Sequence, residues 1–189
     1  MQHHVLINKR GFTLIETIIS MAILGSVITF IYSFFLFENK IFASSNKQYN
    51  IQSDVRLGID YITKEVRYAT DLMIMPVATC ESEILSNKPY SYIYVKNGSV
   101  HLAIYNSTTN TYRNTTIARV ISNTGTAFSR VNDYTLSITL AGVNGTNNYL
   151  VHSSIVLNNF AFINPTQVIQ GVSDLAIRYS STPATSVVH

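Results

Sequence analysis

"NKRGFTLIETIISMAILGSVITFIYSFFLFE" spans residues 8–38 and sets one acidic residue, Glu16, inside an otherwise uncharged apolar run. From Phe12 to Phe37 there are 26 residues, and Glu16 is the only charge among them. As a helix this block is about 39 Å long at 1.5 Å per residue. A bilayer's hydrocarbon core is about 30 Å thick, so the block is long enough to cross it. A secretory signal peptide has an apolar region of only about 7–15 residues followed by a small-residue cleavage site. This run is longer, and "FFLFENK" at its end does not fit such a site. Lys9 and Arg10 sit on its N-terminal side, which places the N-terminus in the cytoplasm and the chain after Glu38 outside, as a single-pass protein.

Glu16 needs an explanation, because carboxylates inside membrane segments are costly and usually paired. It lies about one turn inside the block. Position alone leaves two accounts level: Glu16 rests in the headgroup layer, or it meets a positive charge on another molecule.

The totals bound the rest. The chain has 189 residues, 12% charged and 47% hydrophobic. That suits one modest domain plus an appendage. Net charge is +3, from 13 basic and 10 acidic residues; setting aside Lys9 and Arg10 leaves 11 against 10. A pI near 9.0 therefore reflects no clustered basic surface, and no nucleic acid partner is expected. Cys80 is the single cysteine, so it can form neither an internal disulfide nor a zinc site. It reads as a buried structural thiol, with an intermolecular disulfide the alternative outside the cytoplasm.

"KRGFTLIE" (9–16) resembles the cleavage motif of type IV prepilins and pseudopilins. In that family a short basic leader ends in glycine, phenylalanine follows, and glutamate stands fifth after the cut. Lys9, Arg10, Gly11, Phe12 and Glu16 match each element, and Gly25 falls where many members place a glycine. The resemblance covers residues 9 to about 37. It implies cleavage between Gly11 and Phe12 by a membrane prepilin peptidase, N-methylation of Phe12, and assembly through Glu16 and Gly25. It also offers a partner for Glu16, namely the new α-amine of a neighbouring subunit. An ion pair of that kind in a helix bundle is far better than two isolated charges. The block contains no proline, unlike that of many major pilins, which favours a minor subunit or pseudopilin.

From residue 38 to about 75 the pattern predicts a continuing helix, now one-sided. Val55, Ile59, Ile62, Val66 and Ala69 form a buried stripe. Arg56, Asp60 and Lys64 form a charged ladder, and Arg67 and Asp71 another pair, each worth roughly 0.2–0.5 kcal/mol. Pro76 is expected to end the helix. The segment "QSDVRLGIDYITKEVRYAT" (52–70) is similar to the matching helix of PilW-type minor pilins and J-type pseudopilins of type II secretion, which implies a role at a filament tip or in starting assembly.

Beyond Pro76 the apolar residues alternate. "YSYIYV" (90–95) and "VHLAIY" (100–105) flank an Asn97-Gly98 hairpin turn. "YTLSITL" (134–140) should face inward through Tyr134, Leu136, Ile138 and Leu140 and pair with "YLVHSSIVL" (149–157). "SDLAIRY" (173–179) reads as the last strand with Leu175, Ile177 and Tyr179 inward. Stretches 106–116 and 122–133 read as loops or short edge strands, and 181–189 as a loose tail. The expected architecture is α+β: a leader over 1–11, a membrane-spanning half-helix over 12–37, an amphipathic half over 38–75, and an antiparallel β-sheet domain over 76–180 packed on it.

No enzyme motif is evident: there is no HExxH, GxSxG or phosphate-binding glycine loop. His3 and His4 lie in the leader, His189 is terminal, and His101 and His152 are isolated strand residues. Glu81, Glu83 and Asp71 match no calcium loop, against a need for six or more oxygen ligands, so neither a metal nor a cofactor is expected. Asn97, Asn106, Asn114 and Asn144 each begin an N-x-S/T triplet, a glycosylation acceptor only where the matching enzyme is present. Abundant Tyr, Asn, Thr and Ser would suit contact with an extracellular ligand. The sequence therefore points to a non-enzymatic filament subunit of a pilus, secretion or competence system. Its partners would be other pilin subunits, prepilin peptidase and the cytoplasmic membrane. The alternative is a membrane-tethered binding domain or enzyme that never polymerises.

Overall fold

The computed structural model describes residues 11–160 and 167–180. Lys9, Arg10, the leader histidines, His189 and the tail over 181–189 lie outside the described residues. The chain divides into two compact units, one ending at Ser45 and one beginning at Asn46.

Helix α1 runs over Leu14–Val66 and supplies residues to both units. In the first unit every described residue is exposed, including Ile15, Ile23, Phe30 and Phe34. The mean hydropathy of its most apolar window is 2.1, and the helix is long and apolar enough to cross a membrane. Within this unit the chain supplies no cover for that surface. Lipid or other helices must do so.

In the second unit α1 becomes one-sided. Ile51, Val55, Ile59, Ile62 and Val66 are buried, at the helical spacing the sequence predicts. They join one core with both sheets. The first sheet has five strands in the order β1-β9-β2-β3-β4, and the second has four in the order β7-β6-β5-β8. The strands are β1 (Asp71–Met75), β2 (Ser91–Lys96), β3 (Ser99–Asn106), β4 (Thr111–Arg119), β5 (Ile121–Asn132), β6 (Thr135–Asn144), β7 (Asn147–Val156), β8 (Ser173–Asp174) and β9 (Ala176–Ser180). All neighbours within each sheet pair antiparallel. Leu72, Ile93, Leu102, Ile177 and Tyr179 of the first sheet and Phe128, Leu136, Ile138 and Leu140 of the second pack with the α1 stripe. Each such large apolar side chain contributes roughly 1.5–3 kcal/mol when fully buried.

Two glycines let these layers approach. A Cβ on Gly58 of α1 would stand 2.9 Å from Ala118 Cβ and 3.1 Å from Leu140 Cδ1. A Cβ on Gly142 of β6 would stand 2.5 Å from Ile51 Cγ2 and 2.6 Å from Val55 Cγ2. The helix-weakening glycine in the stripe is thus a contact point between helix and sheet.

The helix ends sooner than the sequence pattern predicts. After Val66 the chain turns: Ala69 N–H donates to Val66 O at 3.0 Å and Thr70 N–H to Ser180 O at 2.7 Å. Asp71–Met75 then pair with β9, from Asp71↔Ser180 to Met75↔Ala176. The strand wins because it buries Leu72, Ile74 and Met75 while satisfying the backbone of β9. Ala69 is buried as expected, but from the turn. Pro76 does not end α1. With φ −63° and ψ 147° it stands at the start of a second helix, α2 (Val77–Leu85). This helix covers the other face of the first sheet, where Cys80 packs with Met75, Tyr92, Ala103 and Ala176.

The β-hairpins follow the alternation. Asn97 and Gly98 have φ of 49° and 71°, a turn in which both central residues are left-handed. Leu136, Ile138 and Leu140 are fully buried and Tyr134 packs against them, while β7 pairs with β6 from Thr135↔Val156 to Asn144↔Asn147. Two segments differ from expectation. Residues 111–119 are a full edge strand, β4, and residues 121–132 are an interior strand, β5, between β6 and β8. The last strand is also split: β8 belongs to the second sheet and β9 to the first, with half-buried Leu175 between them. The expected antiparallel β-sheet domain is thus built as two sheets.

Candidate functional site

Of the motif residues, Gly11, Phe12 and Glu16 lie at the start of α1. Gly11 and Phe12 precede the helix in non-helical backbone, and both are exposed. Phe12 is 86% exposed. Thr13 stands just before the first helical residue, Leu14. Its backbone N–H and its hydroxyl both donate to Glu16 Oε2 at 2.9 Å, and Glu16 N–H approaches Thr13 Oγ1 at 3.3 Å. This is a reciprocal capping box, in which a threonine and the glutamate three residues on satisfy orphan donors of the first turn. "TLIE" spells the signal in the sequence.

The other polar side chains of the apolar block are satisfied by the helix itself. Ser26 donates to Ile23 O at 2.7 Å, Thr29 to Gly25 O at 2.9 Å and Ser33 to Thr29 O at 2.8 Å. Such back-bonding lets hydroxyls sit in an apolar medium without other partners. Nothing in the described chain stands within 4 Å of a Cβ on Gly25.

The second unit holds its polar groups in structural contacts. Arg178 approaches Asp71 at 3.6 Å and Glu83 at 3.5 Å, and its guanidinium lies 4.2 Å from the centre of the Tyr90 ring. Glu83 also accepts the Tyr92 hydroxyl at 3.0 Å, and Glu81 pairs with Lys96. The acidic residues considered for calcium are thus engaged by cations and a phenol. Among the described residues no group of three His, Cys, Asp or Glu side chains is placed to hold a metal. Asp71 meets Arg178 and not Arg67, because it lies on β1 beyond the helix. The ladder of Arg56, Asp60 and Lys64 forms no ion pair among the described residues; Arg56 donates instead to the Tyr149 hydroxyl at 3.2 Å. His101 stacks on Tyr94 with ring centres 5.2 Å apart, and His152 Nδ1 lies 2.8 Å from Thr139 Oγ1. Cys80 is buried, and burial beside Glu81 and Glu83 pushes its thiol up to about 12.

Residues 6–32 match the family model described as the prokaryotic N-terminal methylation motif. Among solved structures, the PilB minor pilin from Streptococcus sanguinis shares the fold with a TM-score of 0.53 at 17% identity, over 74% of this chain and 36% of that one. The chain carries that motif and shares the fold of that minor pilin. A mutant form of the same Streptococcus pilin aligns at a TM-score of 0.49 and 18% identity, over 71% of this chain and 35% of its own. The chain thus spans about a third of the length of the pilin that it matches. No curated protein matches it. The fold shared with that pilin is a long N-terminal helix packed on antiparallel sheets.

Proposed function

We propose that this pilin-like chain is a minor subunit of a type IV pilus or a related secretion or competence filament. Prepilin peptidase cuts between Gly11 and Phe12, the new terminus is methylated at Phe12, and the apolar half of α1 holds the subunit in the cytoplasmic membrane before it enters the filament. Glu16 then neutralises the α-amine of a neighbouring subunit, and Gly25 admits a close helix contact. A tip or initiating role like that of PilW-type pilins and J-type pseudopilins is the finer form of the same reading. The outer domain would meet neighbouring subunits and an extracellular ligand at the cell surface.

The observation that carries this reading is the methylation motif over residues 6–32 running directly into a helix whose apolar surface the chain leaves uncovered. A tethered binding domain would need the hydrophobic span but not Gly11, Phe12 and Glu16 in this register. Mass spectrometry of the protein from its native host decides between them. A mature chain beginning with methylated Phe12 is expected, and an intact Gly11–Phe12 bond would sink the filament reading.

A further inference from the structure

Strand β7 is the outer strand of the second sheet, and among the described residues its far side pairs with nothing. The register fixes which backbone groups are left over. Leu157 N–H donates to Tyr134 O at 2.9 Å, so the odd-numbered residues of β7 turn their N–H and C=O groups toward β6. Those of Asn148, Leu150, His152, Ser154 and Val156 point away. Among the described residues none of these groups has a hydrogen-bond partner; the next one along, Asn158 N–H, is taken by Arg67 O at 3.1 Å.

A free edge of this length is ordinarily blunted by charge, proline, a bulge or a covering segment. The other long edge, β4, carries Arg113 and Arg119. Strand β7, "NNYLVHSSIV", has no lysine, arginine, acidic residue or proline, and its ladder with β6 runs without a bulge. A groove of about 300 Å³ lies along it, lined by Ser153 to Val156 on one side and by Thr63 of α1 and Arg67 of the turn after it on the other. Along α1 this flank also presents Asp60 and Lys64. Arg67, Lys64 and Asp60 form no ion pair among the described residues, so the floor beside the edge is left with a surplus of positive charge.

We propose that the outer edge of β7 takes an extended, carboxylate-bearing segment of a partner protein as an added strand of the second sheet. The unpaired ladder supplies main-chain hydrogen bonds, and the α1 flank supplies the choice of side chain. Alternate side chains of the added strand turn toward Lys64 and Arg67, and acidic ones are selected there. The edge is built from the second unit alone and owes nothing to the N-terminal motif.

The test uses the full chain in detergent micelles and two synthetic peptides of about ten residues, the usual upper length of a strand. One alternates threonine with glutamate, the other threonine with lysine. The glutamate peptide is expected to bind about tenfold more tightly by fluorescence anisotropy. It should also slow hydrogen exchange at the amides of Leu150, His152 and Ser154. Ser154→Pro removes one outward N–H without touching the ladder to β6, and it should abolish binding. The pair Lys64→Glu on α1 with Arg67→Glu in the turn after it, both exposed, should reverse the preference between the peptides, which a merely structural role would not do. No saturable binding by the glutamate peptide, or binding that survives Ser154→Pro with no change in amide protection, overturns the proposal. Self-association of the chain that Ser154→Pro removes, with no peptide preference, would give the edge to a second copy and overturn it equally.

Discussion

Thr13 gives both its backbone N–H and its hydroxyl to one carboxylate oxygen of Glu16, at 2.9 Å each. That contact holds the carboxylate at the N-terminal end of its own helix, where the positive end of the helix dipole lies. Phe12 is the residue before Thr13, so a terminus created there begins beside the same carboxylate. Glu16 therefore has a local task and, under the proposed function, an intermolecular one.

The two tasks separate by substitution. Glutamine can serve in a capping box but carries no charge. Glu16→Gln should keep the first turn of α1 ordered and still exclude the subunit from filaments. Thr13→Val should loosen the first turn while leaving filament entry largely intact. The readout is the share of subunit in sheared filaments against the membrane fraction. Filament entry by Glu16→Gln at the level of the unmodified chain would remove the charge from the account.

Gly142 marks where β6 comes closest to α1. A methyl group there would meet two side-chain carbons of the stripe at 2.5 and 2.6 Å, which packing cannot absorb without movement of Ile51 or Val55. Gly142→Ala should lower stability by about 1–3 kcal/mol, the usual cost of overpacking a core. At Gly58 the clash is milder and alanine regains about 1 kcal/mol of helix propensity, so Gly58→Ala should cost less. Urea unfolding midpoints of the two variants give the comparison, and a neutral Gly142→Ala would contradict the close approach.

Elements with one clean period were legible in the sequence. The α1 stripe, the Asn97-Gly98 hairpin and the β6–β7 pair each repeat an apolar residue at the spacing that their geometry demands. Strand β5 was not legible, because its register with β6 shifts between Ser122 and Ala127. Thr126 occupies that irregularity as a buried hydroxyl that accepts Ala141 N–H at 3.0 Å, so polar residues and Gly125 stand where alternation would put apolar ones. Helix α2 was hidden for another reason: within its nine residues only Cys80 is buried, too few to show a period. The end of α1 was misplaced because the 55–69 spacing continues through the turn, and what stops the helix is a distant strand, β9. At the N-terminus the motif residues are all visible in the sequence, and the cap between Thr13 and Glu16 is carried by the threonine-x-x-glutamate spacing alone.

Val120 joins the two sheets with φ of 57°. The other non-glycine residues with positive φ are Asn87, Asn97 and Asn110, and asparagine is among the few side chains that tolerate this conformation. A β-branched residue there is strained. The close pairing around it holds it in place: Ile121 N–H donates to Gly98 O at 2.9 Å and Val143 N–H to Val120 O at 2.8 Å. Val120→Asn should relieve the strain and raise stability by about 1 kcal/mol. A rise in the denaturation midpoint is the expected result, and a fall would mean that valine packing at the corner outweighs its backbone cost.

Cys80 links burial to alkaline stability. Its thiol is held up to about 12, first by burial and then by the charges of Glu81 and Glu83, against about 9.0 for the free group. The folded chain therefore keeps a proton that the unfolded chain gives up, so the contribution is complete below pH 9 and is lost as pH rises from about 9 toward 12. The slope in that window is about 1.4 kcal/mol per pH unit for one proton. Tyr92 and Tyr179, whose phenols burial also raises, add to the loss only above the ordinary tyrosine range near 10. Between pH 9 and 10 the decline should accordingly belong to Cys80, and Cys80→Ala should flatten it. The same burial makes the native thiol resist alkylation at pH 8 and react at once in urea. Rapid native alkylation at that pH, or a Cys80→Ala profile that still falls between pH 9 and 10, would place the thiol at the surface and reopen an intermolecular disulfide.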